Sequence, residues 1–390
     1  MIEPGANRKL FSSCIAVFVL AVLPALVLAT PARGAVPTDA SAALSPSPRP
    51  SRQAPVPVAD ALPRLGSSFP DRTRPVHTFS IVARDPQTGA LGVAVQSHYF
   101  SVGPVVAWAE AGVGAVATQS LVDVSYGPKG LELMRQGKPA SEALPDLLAK
   151  DEQRDVRQVA MVDAKGRVAA WTGPRCIEYA GGETGDGFSV QANLMANGSI
   201  WPAMSMAFRQ ATGDLADRLL AALDAGQKAG GDIRGQQSAA LLVVKGTASG
   251  EPWKDRLFDL RVEDSLRPIE ELRRLVRLQR AYRLEDLGDD AVSQNRMQDA
   301  LRLYSEAARL APEVPELVFW QAVSLFSAGR EAEAMPLFKK VFSADANWAL
   351  LVPRLVLPGL LKADEAGLAR IGALAPKPAT KKAPAHREKK

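Results

Sequence analysis

The sequence contains few of the residues from which most familiar catalytic and metal sites are built. Only two of its 390 residues are cysteine and only three are histidine. His77, His98 and His386 are too scattered for a zinc-binding HExxH helix, and there is no CxxC pair. The chain also has no P-loop, no GxGxxG after a strand and no GxSxG nucleophile elbow. The sequence therefore predicts no metal and no cofactor, and it disfavours an α/β-hydrolase.

Residues 1–32 have the pattern of a secretory signal peptide. Arg8 and Lys9 precede the apolar stretch FSSCIAVFVLAVLPALVLA, and small residues around Ala29 and Ala32 provide cleavage sites. A retained membrane anchor is the alternative, because the apolar run is long enough to span a bilayer. Cleavage would leave Cys176 as a single cysteine without a disulfide partner. We therefore expect an exported protein, periplasmic or secreted, with no stable membrane span after cleavage.

Two segments have compositions that are typical of disorder. Residues 33–75 are rich in Pro, Ala and Ser and have no apolar period, which predicts a disordered linker. Residues 373–390 form a basic tail, in which KPATKKAPAHREKK contains five Lys and one Arg against one Glu, hence +5. This value equals the net charge of the whole chain. The basicity therefore belongs to the tail and predicts no nucleic-acid partner.

Residues 76–264 combine strand and helix patterns. TFSIVAR and ALGVAVQS flank the turn DPQTG and predict a β-hairpin, and VRQVAMVD and RVAAWTG predict another. PVVAWAEAGVGAVATQS between them is typical of buried strands. YGPKGLELMRQG, PASEALPDLLAKD and residues 201–231 have helical spacing, and QSAALLVVK and DRLFDLRVED close the domain as strands. This order predicts an α+β domain of two antiparallel sheets with helices outside, a four-layer αββα sandwich.

Residues 265–372 have a wholly helical pattern. A period of thirty-four residues aligns 281–314 with 315–348 and matches Ala300 with Ala334 and Tyr304 with Phe338. This spacing is typical of tetratricopeptide repeats, in which a small residue packs against a large apolar one. Two repeats are fewer than independent stability usually requires, so we expect them to dock on the first domain through a helix at 269–280. We expect these helices to contact a protein partner, and homo-oligomerisation stays open.

Several blocks between residues 77 and 264 resemble the domain-of-unknown-function family 1028. They are HTFSIVARDPQTGALGVAVQS, AGVGAVATQS, SYGPKGLELMRQG, VRQVAMVDAKGRVAAWTG, SVQANLM and GGDIRGQQSAALLVV. The resemblance implies an N-terminal nucleophile (Ntn) hydrolase-like fold, in agreement with the αββα order, and no established substrate. Many members of this family begin with Met followed by a Thr-Phe-Ser-Ile run. Removal of that Met would expose the threonine that corresponds to Thr78.

In an Ntn enzyme the hydroxyl of the first residue attacks an amide, and its free α-amine acts as general base. Thr78 is the candidate nucleophile, and Asn193 is the best candidate oxyanion donor by residue type. Signal cleavage would still leave His77 joined to Thr78, so catalysis needs a second cut. The alternative is that Thr78 only opens a strand, and we expect the uncut chain. No lysine follows soon after the second strand, which disfavours a protease.

Polar residues at other strand ends predict a substrate pocket if they converge on Thr78. Asp232 and Arg234 form a mutual ion pair or clamp a polar substrate. Two functions stay open, an exported amidohydrolase of the Ntn type acting on a small amide and a non-catalytic Ntn-fold binding or scaffold protein. The candidate substrate-binding residues are Ser97, His98, Gln119, Asp123, Tyr126, Gln191, Asp232, Arg234 and Gln236.

Overall fold

The computed structural model of this protein describes residues 76–376. The predicted signal peptide, the linker at 33–75 and residues 377–390 of the basic tail lie outside the described residues. The described chain therefore includes Val76 and His77, the two residues that precede Thr78.

The strands of residues 76–376 form two antiparallel sheets. Thr78 lies opposite Ser97 in the central pair of the first sheet, so both residues are at the same end of that sheet. In spatial order, the six-stranded sheet contains β10 (Arg256–Val262), β9 (Ser238–Val244), β2 (Leu91–Ser97), β1 (Thr78–Arg84), β8 (Phe188–Ala192) and β7 (Gly181–Gly185). The four-stranded sheet contains β3 (Ala107–Glu110), β4 (Gly114–Ser120), β5 (Arg157–Asp163) and β6 (Val168–Thr172).

Alternate side chains along the strands face two different apolar cores, one between the sheets and one under the outer helices. On β1, Val82 packs in the apolar core between the two sheets, whereas Phe79 and Ile81 pack against helices on the outer face. The outer face of the six-stranded sheet is covered by α4 (Ile200–Gln210) and α5 (Leu215–Lys228), and that of the four-stranded sheet by α2 (Tyr126–Arg135) and α3 (Ala140–Leu148). The predicted mixture of helix and strand is confirmed, with helices on the outer side of each sheet.

The two sheets are connected by Val76, which lies two residues before the start of β1. Val76 forms an isolated antiparallel bridge with Ser120, the last residue of β4. Val76 N donates to Ser120 O at 2.7 Å, and Ser120 N donates to Val76 O at 2.9 Å. Ser120 has a φ of +73°, a backbone conformation that non-glycine residues seldom adopt. The chain that leads into Thr78 is therefore part of the folded structure.

The C-terminal region is helical, as predicted. Ala300 and Tyr304 are buried, and a Cβ added at Gly288 would lie 2.6 Å from the Tyr304 ring, so the first repeat depends on this close approach. Its helices are α6 (Pro268–Ser293), α7 (Met297–Leu310), α8 (Pro315–Ser327), α9 (Glu331–Ala344), α10 (Asn347–Leu351) and α11 (Glu365–Gly372).

The long helix α6 packs on the first domain with its first half and forms part of the helical region with its second half. Ile269, Leu272 and Val276 on its first half are buried in the core on the outer face of the six-stranded sheet. Further along, Arg280 forms ion pairs with Asp214 and Asp217 at the start of α5. The repeats therefore continue a helix that is already anchored on the first domain.

Two details differ from the sequence prediction. The buried strand predicted from Pro104 begins only at Ala107 and is half-buried there, because α1 (Gly103–Val106) precedes it with Pro104 in its first turn. The edge strand β7 was not predicted, since GGETG has no apolar alternation, and it pairs only with β8.

Candidate functional site

Strand alternation brings polar side chains together between the two sheets, at the end where β1 begins. Because Val82 faces the inter-sheet core, Ser80 and Thr78 at the same parity of β1 also face that space. The neighbouring strands contribute polar residues at the same end. This inter-sheet polar cluster is buried to within 1% and consists of Thr78, Ser80, Ser97, Gln119, Gln158, Ser189, Gln191 and Asn193.

Gln158 on β5 is the centre of the cluster. Its Oε1 accepts hydrogen bonds from Gln119 Nε2 at 2.7 Å and from Asn193 Nδ2 at 2.8 Å. Gln119 also donates to Thr78 O at 3.2 Å and accepts from Ser80 Oγ at 2.6 Å. Buried amides that are bonded in this way form a rigid network. The network therefore fixes the backbone of Thr78.

The peptide bond between His77 and Thr78 has two hydrogen-bond donors at its carbonyl oxygen. Ser97 Oγ donates to His77 O at 2.5 Å, and Arg234 Nη2 donates to the same oxygen at 3.1 Å. The Thr78 hydroxyl has two acceptors, Val76 O at 2.9 Å and Ser97 Oγ at 3.2 Å. Donors placed at a carbonyl oxygen stabilise the negative charge that develops when a nucleophile attacks. The Thr78 hydroxyl, the Ser97 hydroxyl and the Arg234 guanidinium therefore surround this peptide bond.

The His77 side chain is buried in the site and forms a hydrogen bond there. It is 2% exposed, and its Nδ1 lies 2.9 Å from Asn193 Oδ1. An amide oxygen only accepts, so Nδ1 carries the proton in this pair. Burial lowers the pKa of His77, against the hydrogen bond to Asn193, which raises it, and the nearby Arg234 lowers it further. His77 is therefore neutral at neutral pH.

The Asp232–Arg234 ion pair predicted from the sequence is present and holds the guanidinium at the site. Asp232 Oδ1 accepts from Arg234 Nε at 3.0 Å, and Oδ2 accepts from Nη2 at 2.7 Å. The Asp232 side chain is fully buried and also accepts from the backbone N of His98 at 3.2 Å. Arg234 thus contacts Asp232 and the carbonyl of His77 at once.

Three predicted residues lie elsewhere. Asp123 and Tyr126 line a groove of about 540 Å³ between α2 and α3, and none of the inter-sheet polar cluster lines it. Tyr126 donates to Asp151 at 3.0 Å, and burial, together with this carboxylate, raises the pKa of Tyr126. Gln236 is half-buried in the loop before β9 and has no hydrogen bond to the polar cluster within the described part of the chain. The structure therefore separates these residues from Thr78.

The sequence prediction missed three members of the cluster, Ser80, Gln158 and Ser189. Gln158 interrupts a strand whose other inward residues are apolar, because it shares its parity with Ala160 and Val162, which lie in the inter-sheet core. A single amide within an apolar strand sequence was the signal that could have identified Gln158. The same signal identified Gln191.

Within residues 76–376 no group of three or more His, Cys, Asp or Glu residues is arranged to hold a metal ion. None of the helices in this range is long and apolar enough to cross a membrane.

Comparison with known proteins places the two regions in separate sequence families. Residues 78–272 match the family of unknown function DUF1028, and residues 285–347 match a tetratricopeptide repeat. The first match covers half of the sequence, and the chain belongs to the DUF1028 family.

A DUF1028 protein from Silicibacter pomeroyi with a known crystal structure has 31% sequence identity to this chain. The match covers 51% of this chain and 87% of that chain, with a TM-score of 0.46. No curated protein matches the chain.

Proposed function

We propose that this protein is an exported amidohydrolase of the Ntn type that releases its own nucleophile, Thr78, by breaking the His77–Thr78 bond. The observation that carries the proposal is the pair of donors, Ser97 and Arg234, on the carbonyl oxygen of that bond. In the proposed fold the two sheets with their outer helices are an Ntn-hydrolase-like sandwich, and Thr78 is the first residue of a central strand. The repeats would recruit a protein partner.

The proposed release is an acyl shift within one peptide unit. Thr78 Oγ1 attacks the carbonyl carbon of His77, and its proton passes to Ser97 while Ser97 gives its own proton to the carbonyl oxygen. On collapse the proton on that oxygen passes to the Thr78 nitrogen as the C–N bond breaks and the carbonyl re-forms, so that His77 is held as an ester on Thr78 and the nitrogen becomes an amine. Water then hydrolyses the ester, giving a His77 carboxylate and a free Thr78. Arg234 stabilises the partial negative charge that develops on the carbonyl oxygen before the Ser97 proton reaches it.

The free Thr78 would then act on external amides by the same chemistry. Its α-amine takes the hydroxyl proton, and the hydroxyl attacks the amide carbonyl. The amine of the substrate leaves with that proton, and water hydrolyses the resulting ester. Ser97 and Arg234 occupy the oxyanion role that the sequence suggested for Asn193, because Asn193 Nδ2 already donates to Gln158. Asn193 Oδ1, which faces the His77 ring here, would accept a hydrogen bond from an N–H or O–H donor carried on the acyl part of the substrate.

Intact-mass measurements on the purified full chain would test the release step. The rate at which the fragment beginning at Thr78 appears should be first order and independent of protein concentration, since the attack is intramolecular. Thr78→Ser should still be cut, because it keeps the hydroxyl, whereas Thr78→Ala and Ser97→Ala should stay intact.

Ser189→Ala is the matched control for these variants. Ser189 is a buried serine of the same cluster that bonds to Gln191 and does not contact the His77–Thr78 bond. Cutting that persists in Thr78→Ala, or whose rate rises with protein concentration, would refute self-release.

A binding protein without turnover is the second candidate, and the burial of Val76 and His77 favours it. Both residues are at most 2% exposed and fill the space next to Thr78. If the bond stays intact, these two residues close the site permanently. A purified chain that shows no cutting over days would support this function.

A further inference from the structure

The second half of α6 and the start of α8 carry a cluster of acidic residues that is far from the inter-sheet site. The acidic cluster consists of Glu285, Asp286, Asp289 and Asp290 on α6 and Glu316 on α8. In the part of the chain that the structure describes, none of the five forms an ion pair with Lys, Arg or His. Two of the carboxylates are instead held by phenol groups, with Tyr282 donating to Glu316 at 2.7 Å and Tyr304 donating to Asp289 at 2.5 Å.

Glu285 is the buried member of the acidic cluster. It is 7% exposed, and its Oε1 is buried without a hydrogen-bond partner. Burial raises the pKa of Glu285 to about 7, and the facing carboxylates of Glu316, Asp289 and Asp286 contribute to the same shift. A buried carboxylate oxygen without a donor is costly, and like charges around it increase that cost. The arrangement lacks a donor that carries positive charge.

The missing donor is a side-chain cation and not a metal ion. Among residues 76–376 no group of acidic side chains is arranged to hold a metal. A Lys or Arg side chain can bind at a single carboxylate, because it carries several N–H donors on a long, flexible stem. The ligand class is therefore a peptide segment that carries several Lys or Arg residues.

The chain itself contains such a segment. Residues 377–390 carry five Lys and one Arg against one Glu, hence +5, whereas the five carboxylates of the acidic cluster, when ionised, carry −5. Leu374 and Ala375, just before this segment, pack on the apolar core that contains Phe326 near the end of α8. Phe326 is ten residues from Glu316 along α8, which is about 15 Å. Fourteen extended residues reach about 45 Å, so the segment can span this distance.

We propose that the acidic cluster binds the chain's own basic segment 377–390, with a Lys or Arg side chain on Glu285. Attachment to the same chain gives the segment a high effective concentration at this site, and a basic peptide from another protein must compete with it. This proposal does not depend on the fate of the His77–Thr78 bond.

Fluorescence anisotropy with a labelled synthetic peptide of residues 377–390 tests the proposal. The receptor is the full chain with the Lys and Arg residues of 377–390 replaced by Gln, here named the tail-neutral chain. We expect saturable one-to-one binding to it at low salt. The unchanged full chain should bind the labelled peptide at least fivefold more weakly, because its own segment occupies the site.

Two double variants of the tail-neutral chain separate a specific site from general attraction. Glu285→Gln with Glu316→Gln removes two charges from the acidic cluster, keeps the side-chain size and should weaken binding at least tenfold. Glu306→Gln with Glu365→Gln removes two charges outside the cluster, one from a half-buried and one from an exposed position, and should change binding less than twofold. Equal weakening in both variants, equal binding to the tail-neutral and unchanged chains, or no saturable binding would each overturn the proposal.

Discussion

At the scale of residues, the central feature is one peptide bond whose surroundings are more elaborate than a strand needs. A threonine that only opened a strand would not require a serine hydroxyl and a guanidinium on the preceding carbonyl. Arg234 reaches that carbonyl only because the buried Asp232 holds it in place. The Asp232 carboxylate is fully buried whereas the Arg234 side chain is 31% exposed, so a buried charge is used to position a guanidinium at the rim of the site, which is better explained by a function. The same contacts make the site sensitive to the protonation of His77.

The pH dependence of the segment before Thr78 can be predicted from His77. Its pKa in the folded chain lies below the ordinary value of 6.5, so the docked state is favoured above pH 6.5 and loses this stabilisation as the pH falls below that value. For a single proton the slope cannot exceed about 1.4 kcal/mol per pH unit. Hydrogen exchange at the Val76 amide, measured in the Thr78→Ala background that should stay uncut and corrected for intrinsic rates, should show easier opening at pH 5.5 than at pH 7.5.

His77→Gln provides the comparison for this experiment, because an amide can still donate to Asn193 but does not titrate. The opening free energy of this variant should be flat over the same pH range. A pH dependence that is identical in both proteins would show that another group is responsible.

Much of this site could be predicted from strand ends, and the rest depended on tertiary pairing. Thr78, Ser97, Gln119 and Gln191 end or interrupt apolar strands, and they converge because their strands are neighbours or face one another. Asp123 was grouped with them because it follows β4 closely, but the chain there turns towards α2 on the outer face. The role of Val76 and His77 was not predictable, since no local pattern specifies a bridge between two sheets.

At the scale of elements, the helical repeats depend on small residues at helix crossings. Ala300 is fully buried where α7 packs on α6. Ala300→Trp should therefore destabilise the helical region by about 1–3 kcal/mol or more through overpacking. Ala332→Trp, at an exposed position of α9, is the control and should leave the melting temperature nearly unchanged. Equal melting curves for the two variants would contradict the packing described for the first repeat.

Glu285 gives the helical region a second, pH-dependent property. Its pKa is about 7 in the folded chain against an ordinary 4.5, so ionisation destabilises the fold progressively as the pH rises from 4.5 to 7. In the tail-neutral chain, Glu285→Gln should increase the free energy of unfolding by roughly 1–3 kcal/mol at pH 8 and by less than ~1 kcal/mol at pH 5. Urea unfolding at the two pH values would measure this difference.

The exposed Glu365 provides a control for that measurement, and Glu365→Gln should have little effect at either pH. If Glu285→Gln had the same effect at pH 5 and pH 8, ionisation of Glu285 would not be the cause.

The element order was largely predictable because hydrophobic periodicity and turn residues agreed over most of the domain. β1 with β2, β5 with β6, and the helix pairs α2 with α3 and α4 with α5 lie where the patterns indicated. The exceptions have local causes, a proline that begins a helical turn at α1 and a glycine-rich edge strand at β7 without an apolar side. The thirty-four-residue period was the strongest signal in the helical region, and residues 285–347 match a tetratricopeptide repeat.

At the scale of the whole molecule, one long helix joins a DUF1028 domain to a pair of repeats. The first half of α6 is packed on the six-stranded sheet, and its second half carries the acidic cluster. The proposed catalytic site lies between the sheets, away from this cluster. The two proposed activities are therefore separate in the molecule, with release and use of Thr78 in the first domain and binding of basic peptide segments in the second.

The most direct test of the central claim is N-terminal sequencing of the protein purified from the compartment to which it is exported, combined with its intact mass. If Thr78 is released, the major species begins TFSIVARD, at Thr78, and extends through the helical repeats. A chain that begins near residues 30–36 and contains no species starting at Thr78 would contradict the free-threonine mechanism. Val76 and His77 would then be permanent parts of a closed, non-catalytic site.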